Sequence, residues 1–553
     1  MAQAEYIGLL LVPKMDLISL ATGKKFEEHY AKLHRQNVEN LSIDHRSFDP
    51  SISKTSSDEL DKEQWFLDVM QINKSDNVIE EKMHEKENKD YLVTWDGPQD
   101  ALNPKNWSNM NKWWIIIQIC IITMPVTFSS SVYSTGISEV VKVFHASIPV
   151  ASLGTCTYLV GFSMGSLPFA PLSGIYGRFI VYLITLIVFT LLQIGGGVAQ
   201  NVWTLAIIRY FQGFFGSTPL ANCGGTVSDI YSPVEYTFTV PILCAFPFLG
   251  PVIGPIIGDF ISQSYLGWRW TFWITMIFSG SVALLVIFTL PETHADTILY
   301  YKARYLRKVT GNPLWYTENE KQRDPKRAIV RAFTNSISLL ISEPIVVCFT
   351  IYVTILFAIV YINFESYPIV YSQYGFNQGE QGLSFIGIGI GILLATSSTP
   401  IIYYYYSKNY KKMNGNVPPE YRLYPLFIGC FLLPIGLFWF AWTCYPHKIH
   451  WIVPLISSIF FGASLLLIFS VMFTYFIDTY RSLAPSALAA ATLVRYSASG
   501  GMTLVARPMY HNLGDHWATT LLGFISAAMI PIPFVFFRYG KTIRSHSKYA
   551  YKG

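Results

Sequence analysis

The chain has few charged residues for its length. Asp, Glu, Lys and Arg make up only 14% of its 553 residues, whereas about a quarter is usual in a soluble protein. Hydrophobic residues make up 51%, aromatic residues 16%, and the mean hydropathy is +0.34. This composition excludes an ordinary soluble protein and favours one that crosses a membrane many times.

The chain also lacks short motifs that mark common enzymes and nucleic-acid-binding proteins. No GxxxxGK[ST] or HExxH sequence occurs, and the seven cysteines form no CxxC pair or zinc-finger spacing. The scattered cysteines predict no disulfide framework. We therefore expect no enzymatic activity, no cofactor, no bound metal or nucleotide, and no nucleic-acid partner. Any uphill transport must then use an ion gradient.

Charge is unevenly distributed along the chain. Residues 1–111 hold 20 of the 35 acids and 13 of the 40 bases, whereas residues 112–553 hold 15 acids and 27 bases. The first segment is polar and rich in Ser, Asn, Asp and Glu, which predicts a largely disordered, acidic cytosolic tail. The basic remainder indicates contact with a lipid bilayer.

Apolar stretches long enough to cross a bilayer follow one another after residue 111. Six lie in 112–290 and six in 344–537. A basic cytosolic loop at 291–343 separates them, and a short basic C-terminus at 538–553 follows. The pattern predicts an all-α membrane protein of twelve transmembrane helices, in two six-helix halves around a central path. The predicted spans are 112–133, 147–168, 179–199, 202–221, 237–261, 270–290, 344–364, 380–403, 423–444, 449–475, 483–506 and 516–537.

Lysine and arginine concentrate on one side of this arrangement. The connector at 291–343, the segment 404–422 and the C-terminus carry many of the bases beyond residue 111. With twelve spans these segments share a side with the N-terminal tail. The positive-inside rule then predicts that both termini are cytosolic.

Ionisable residues inside the spans cost about 3 kcal/mol or more, so each needs a partner or a function. Arg209 in the fourth span and Glu365 in the seventh are our main candidates for proton coupling, because a buried carboxylate can bind and release a proton. The alternatives are a hydrogen-bonding hub at Arg209 and a solvated carboxylate at Glu365. Asp259 is a further candidate, although exposure to water at the end of the fifth span is the favoured interpretation. Asp478 and Arg495 are predicted to form a cytosolic gate or to be ordinary positive-inside charges.

Aromatic side chains in the spans are candidates for a cavity that binds flat or lipophilic cations. For each of them the alternative is ordinary packing or a place in the interfacial aromatic belt. The candidates are Tyr133, Tyr158, Phe162, Phe246, Tyr361, Phe364, Phe385 and Tyr475.

The fifth span contains GPVIGPIIGD at 250–259, which is poor material for an ordinary helix. The glycines are four residues apart and form one row that lets another helix approach closely. The prolines and the acid form a second row about 100° round the helix. We predict a kinked surface at the interface between the two halves. The residues are Gly250, Gly254 and Gly258 in the first row, and Pro251, Pro255 and Asp259 in the second.

These motifs together resemble the major facilitator superfamily, and within it the fungal twelve-span drug:proton antiporters. PLSGIYGR at 171–178 resembles the loop motif between the second and third spans, and LAIIRYFQG at 205–213 resembles the fourth-span arginine motif. GPVIGPIIGD with GWRWTFW at 267–273 is similar to the fifth-span antiporter motif. PET at 291–293 resembles the start of the central loop in multidrug and polyamine exporters. WDGPQDALNPKNW fits their pre-membrane signature.

The resemblance implies roles for individual residues. Arg209 matches the arginine that the family associates with proton coupling. Gly177 and Arg178 match the loop motif, whose arginine helps to latch the gate in the outward-facing state of the transporter. The family usually has an acid at the position of Gly174 and a base at the next position. We therefore expect the latch to be weakened, or to use another acid such as Asp229.

The resemblance implies a proton-coupled antiporter that exports drugs, xenobiotics or polyamine-like small organic compounds by alternating access. Its partners would be protons, a small-molecule substrate and the bilayer, and it would act as a monomer in the plasma membrane or, as second choice, the vacuolar membrane. Two alternatives remain: a proton symporter for a sugar, vitamin or siderophore, and a non-transporting membrane sensor. The fifth-span motif argues against the symporter, and the short C-terminal tail argues against the sensor.

Overall fold

The computed structural model describes residues 91–320, 324–414, 417–446 and 448–550. Residues 1–90 of the predicted tail at 1–111 therefore lie outside the described residues. The chain divides into two compact units, and the larger one runs from Ala101 to Ala295 and from Arg323 to Gly553.

The first half of the larger unit consists of eight α-helices in the residues described. Helix α1 begins after Ser108, whose hydroxyl oxygen accepts a hydrogen bond from the Asn111 N–H (3.4 Å) and caps the helix. The helices are α1 (Asn109–Thr135), α2 (Ile137–Phe144), α3 (Ile148–Tyr176), α4 (Arg178–Gly197), α5 (Val202–Gly216), α6 (Thr218–Ile230), α7 (Tyr236–Gln263) and α8 (Trp270–Thr289).

The described residues of the connector and the second half contain ten further α-helices. The connector at 291–343, which was predicted as a loop between the two halves, contains the first two of them. Their sequences are amphipathic and too polar to be recognised as spans. The helices are α9 (Ala295–Thr310), α10 (Pro325–Ser342), α11 (Pro344–Gln373), α12 (Gln378–Leu383), α13 (Ile386–Ser397), α14 (Thr399–Lys412), α15 (Tyr424–Thr443), α16 (Ile452–Tyr480), α17 (Ala484–Ala528) and α18 (Pro531–His546).

Ten helical segments in the described residues are long and apolar enough to cross a membrane. One of them, Ala484–His546, has 63 residues, or roughly 95 Å of helix, which is about three times a hydrocarbon core. Gly514 breaks it with a positive φ of 76°, so it provides two crossings. The fourth predicted span is α5 followed by α6, with only Ser217 between them. The architecture therefore agrees with twelve crossings.

The two ends of the bundle differ in charge. We call the end at which α1 begins and α18 finishes the basic end, because exposed lysines and arginines concentrate there, and the opposite end the far end. The exposed basic residues include Lys408, Lys411, Lys412, Arg538 and Lys541.

The two halves contact each other at both ends. Helices α3 and α6 lie against α17, and α7 lies against α12, α13 and α16. At the far end, the Gln378 side-chain amide donates a hydrogen bond to the Thr135 carbonyl oxygen (3.0 Å), and the Gly379 N–H donates to Gln263 Oε1 (2.9 Å). At the basic end, α10 contacts both α3 and α17.

The glycine row of α7 packs inside the first half, which corrects the prediction that it faces the second half. It lies against α1, where each added Cβ would overlap or press on a hydroxyl group of that helix. It is the proline row that faces the second half: a Cβ added at Gly382 of α12 would lie 2.6 Å from the Pro255 carbonyl oxygen. The glycine contacts are Gly250 with Thr127, Gly254 with Ser131, and Gly258 with Thr135.

The smaller unit joins the chain before α1 to the beginning of the connector. It comprises Met1–Asp100 and Asp296–Gln322. In its described part, Leu92 pairs with Tyr316 in an isolated parallel bridge, so the pre-membrane segment is attached to the chain that follows α9.

Candidate functional site

Arg209 is fully buried in the first half and holds three helices together. Its Nε donates to the Gly154 carbonyl oxygen of α3 (3.1 Å), and its Nη1 donates to the Ser129 carbonyl oxygen of α1 (2.9 Å). The guanidinium lies 4.3 Å from the ring centroid of Tyr158 and 4.9 Å from that of Tyr133. No ion pair with Arg209 occurs among the described residues. The charge is therefore stabilised by carbonyl groups and aromatic faces.

Two acids of the first half contact Arg178. Asp229 binds its side chain, and Glu292 accepts a hydrogen bond from its backbone N–H. Its Nε lies 3.1 Å from Asp229 Oδ2 at the end of α6. Gly177 before it has φ of 101°, a conformation that favours glycine. Gly174, at the position where the family usually has an acid, has open space around it. The structure thus brings Arg178 to Asp229, the replacement partner that was predicted.

Glu292 belongs to this group of residues, and the sequence interpretation missed it. The carboxylate is buried and accepts hydrogen bonds from the backbone N–H groups of Arg178 (2.9 Å) and Phe179 (3.2 Å), at the start of α4. It also accepts from the N–H groups of Thr293 and His294 (both 2.9 Å). Burial raises the pKa of Glu292, while these hydrogen bonds act in the opposite direction. The sequence signal for Glu292 was an acid directly after the sixth apolar span.

Glu292→Gln should lower the thermal stability of the purified chain. The glutamine would place an NH2 donor against one of the N–H groups at the start of α4 and remove the negative charge that favours a helix N-terminus. We expect a loss of about 1–2 kcal/mol in the free energy of unfolding. Thermal denaturation in detergent measures it, and Glu318→Gln, at an exposed acid, is the control. Equal melting temperatures for the two variants would contradict the capping role.

A second charged cluster connects the two halves at the basic end. Arg422 Nε lies 2.7 Å from Asp478 Oδ2, and Arg422 Nη2 donates to the Pro233 carbonyl oxygen of the first half (3.0 Å). The Tyr236 hydroxyl at the start of α7 donates to Asp478. The sequence left open whether Asp478 and Arg495 form a cytosolic gate. The structure places Asp478 against Arg422, and Arg495 at a cavity between the halves. The sequence signal for Arg422 was a base directly before the ninth predicted span.

These two clusters occupy equivalent places in the two halves. Arg178 follows the second span and pairs with an acid at the end of the fourth; Arg422 follows the eighth and pairs with an acid at the end of the tenth. The sequence separations are similar, 51 and 56 residues. The repetition indicates two related halves.

Glu365 forms an ion pair inside the second half. It lies in α11, is 5% exposed, and binds Arg507 of α17. Arg507 follows the predicted span 483–506, but it lies within helix α17, before the break at Gly514. Its side chain is 35% exposed. A buried carboxylate therefore has one partner that reaches toward the surface.

Asp259 is buried at the far-end contact between the halves. It is 5% exposed, and a Cβ added at Gly382 of α12 would lie 3.0 Å from its Oδ2. The expectation that this residue extends into water is wrong, because α12 covers the end of α7. Periodicity along one helix carries no information about which other helix covers it.

Arg495 faces a small cavity between the two halves. The cavity measures about 20 Å³ and is bordered by α3, α6, α7, α16 and α17. The guanidinium lies 4.7–4.9 Å from three ring centroids, those of Phe357, Phe469 and Tyr496, and its Nε has no hydrogen-bond partner. A larger cavity of about 370 Å³ adjoins it toward the basic end.

The eight aromatic candidates do not border either of these two cavities. Tyr133 and Tyr158 stack on Arg209. The Tyr361 hydroxyl donates to Ser130 Oγ across the halves (3.2 Å). Tyr475 packs on Phe349 within the second half. The other candidates are Phe162, which contacts Tyr496, Phe364 and Phe385, which contact each other, and Phe246, which is half-buried.

Comparisons with known proteins agree with this architecture. A family model described as Major Facilitator Superfamily matches residues 119–503. The chain is 60% identical over 547 residues to the uncharacterized transporter mfs2 of Schizosaccharomyces pombe, covering 97% of this chain and 100% of that protein. It is 39% identical over 465 residues to the MFS-type efflux pump MFS2 of Trichophyton rubrum, covering 83% and 77%.

The likeness extends to solved structures. The proton:xylose symporter XylE aligns with a TM-score of 0.58 at 16% identity, covering 79% of this chain and 97% of that one. At this identity the likeness concerns the fold alone. The predicted family and fold are confirmed, and the chain belongs to the major facilitator superfamily, as a multi-pass membrane transporter.

Proposed function

We propose that this transporter is a proton-coupled antiporter that exports small organic compounds, such as drugs and other xenobiotics. The observation that carries the proposal is the buried ion pair between Glu365 and Arg507. A carboxylate inside a membrane protein, paired with a base that reaches the surface, is suited to take up a proton from one side. The fifth-span motif and the name of the Trichophyton rubrum efflux pump support export.

The ion pair supplies a switch within the second half. With Glu365 ionised, the pair ties α11 to α17. A proton on Glu365 removes the attraction and frees Arg507. Since α17 also packs against α3 and α6 of the first half, a change at this pair alters the contact along which the halves rock. Proton and substrate then favour different states of one alternating-access cycle.

We further propose that the basic end lies in the cytosol and that the protein acts as a monomer in the plasma membrane. The exposed Lys408, Lys411, Lys412, Arg538 and Lys541 support the orientation, because positive charge concentrates on the cytosolic side of membrane proteins. Protons would then reach Glu365 from the far end, and substrate would enter between the halves from the basic end.

Glu365→Gln should uncouple transport from the proton gradient. We expect the variant to bind substrate, but to lose most of the additional flux that a pH gradient drives, because glutamine cannot carry the proton. The measurement uses the full chain in liposomes with a pH jump. Flux is followed for a labelled panel that includes a lipophilic cation, an aromatic carboxylate and a polyamine.

The control is Glu318→Gln, the same replacement at an exposed acid, which should leave the flux unchanged. Arg507→Lys keeps the charge of the partner and should retain part of the coupling, whereas Arg507→Gln should not. Transport that ignores the pH gradient in the unmodified chain, or that survives unchanged in Glu365→Gln, would refute the mechanism. Flux in the same direction as the protons would favour a symporter instead.

A further inference from the structure

The two buried arginines that face the membrane interior differ in how they are bound. Arg209 donates hydrogen bonds to carbonyl groups of α1 and α3. Arg495 is 3% exposed and is enclosed by three aromatic rings. One guanidinium nitrogen of each residue, Arg495 Nε and Arg209 Nη2, has no hydrogen-bond partner among the described residues. No ion pair with Arg495 occurs in the described part of the chain. A guanidinium keeps its charge in proteins, so Arg495 is a positive charge that is stabilised by aromatic faces and has no acid partner among the described residues.

No carboxylate among the described residues lines the cavity at Arg495. Its other lining residues are apolar or small and neutral, such as Ser166, Cys223, Phe469 and Thr492. These residues come from both halves, so the cavity lies where alternating access requires a substrate to bind. Its volume of about 20 Å³ holds about one water, so the centre is closed in this state.

The neighbouring cavity leads from the centre toward the basic end. It shares Ala221, Leu488 and Ala489 with the central cavity, and its volume of about 370 Å³ is within the range of ligand sites. Its charged lining residues are Arg178 and Arg481, and no Asp or Glu of the described residues lines it. Because Arg178 is paired with Asp229, the positive charge at the centre of the path comes from Arg495.

Gly174 contributes to this charge pattern. It lines the larger cavity and has no atom within 4 Å of an added Cβ. A glycine places no charge at this entrance, whereas an acid here would make the path less favourable for anions.

We propose that the substrate is an organic anion with a flat aromatic body, and that Arg495 binds its carboxylate or an equivalent anionic group. The guanidinium supplies paired donors, and Phe469 and Phe473, which border the cavity, supply aromatic surface. A polyamine or lipophilic cation would meet the like charge of Arg495, and the rings around Arg495 are already in contact with its guanidinium. The inference rests on the proposed transport function, whose substrate class it names.

The test compares three probes of one shape and different charge. Naphthalene-2-carboxylate, its neutral amide and 2-naphthylmethylammonium are titrated into the purified full chain by calorimetry. We expect the carboxylate to bind at least about tenfold more tightly than the amide, and the ammonium probe to bind most weakly. Equal binding of the three probes, preference for the ammonium probe, or binding of none at millimolar concentration overturns the proposal.

Variants assign the preference to the residue. Arg495→Gln should remove the advantage of the carboxylate over the amide, and Arg495→Lys should keep part of it. Arg331→Gln, at an exposed base, should leave the advantage of the carboxylate over the amide unchanged. A full advantage retained in Arg495→Gln would overturn the role of Arg495.

A second pair of variants does not disturb the buried site. Gly174→Asp should weaken binding of the carboxylate relative to that of the amide, and Gly174→Asn, of similar shape, measures the effect of the added side chain without its charge. Equal effects of the two variants would contradict the charge argument. Equilibrium binding needs no proton cycle, so these results stand apart from the outcome for Glu365→Gln.

Discussion

Replacing Gly213 with leucine should prevent stable folding of the transporter. Gly213 lies in α5 where that helix meets α3, and an added Cβ would overlap the Tyr158 carbonyl oxygen and lie 2.9 Å from the Phe162 nitrogen. Gly161 of α3 makes the reciprocal contact with the backbone of α5 at Tyr210. Backbone atoms cannot rotate away as a side chain can. Close helix contact through glycine is a main source of association in a bilayer.

We expect Gly213→Leu to cost about 3 kcal/mol or more, the upper end of the range for overpacking. The melting temperature in detergent and the monodisperse fraction on gel filtration measure the loss. Gly501→Leu is the matched control, because Gly501 also lies within a helix, but an added Cβ there meets no atom within 4 Å. Similar stability of the two variants would show that the α3–α5 contact adapts, contrary to the expectation.

Arg209→Lys should reduce both thermal stability and transport, although it keeps the positive charge. Arg209 reaches Gly154 and Ser129 on two different helices with separate nitrogen atoms. A lysine side chain donates hydrogen bonds from a single nitrogen atom and cannot make both contacts in the same geometry. The lost hydrogen bonds involve a charged donor, so we expect a cost of about 3 kcal/mol.

Two measurements separate the structural role of Arg209 from a role in proton coupling. If Arg209 is only a hub, flux per folded molecule should keep the pH dependence of the unmodified chain. If it also takes part in coupling, that dependence should flatten. Arg538→Lys, at an exposed base, is the control for the replacement itself. Unchanged stability and flux in Arg209→Lys would contradict both roles.

The positions of most spans were predictable because a span is a local property of the chain. An apolar run of sufficient length must form a helix in a bilayer, since its backbone groups have no other partners. The predicted starts at residues 202 and 344 coincide with Val202 of α5 and Pro344 of α11. Helices α9 and α10 escaped prediction because they lack such a run and are amphipathic.

The partners of the charged residues could not be predicted in the same way. Glu365 and Arg507 are 142 residues apart, and Arg422 and Asp478 are 56 apart. Which of these side chains meet depends on how each helix is rotated about its axis. That rotation is set by packing against several neighbours at once, and a single sequence does not encode it as a local pattern.

The row of glycines in α7 shows which features the sequence predicts and which depend on the packing of the helices. The spacing of Gly250, Gly254 and Gly258 determined that one face of the helix accepts a close neighbour, because the period of a helix brings every fourth residue to one side. Only the tertiary structure decided that the neighbour is α1, and that the proline row meets the second half. The sequence by itself thus determined the family, the spans and the positions of the charges. The packing of the helices decided which charges are paired, and that Arg495 at the centre has no ion-pair partner among the described residues.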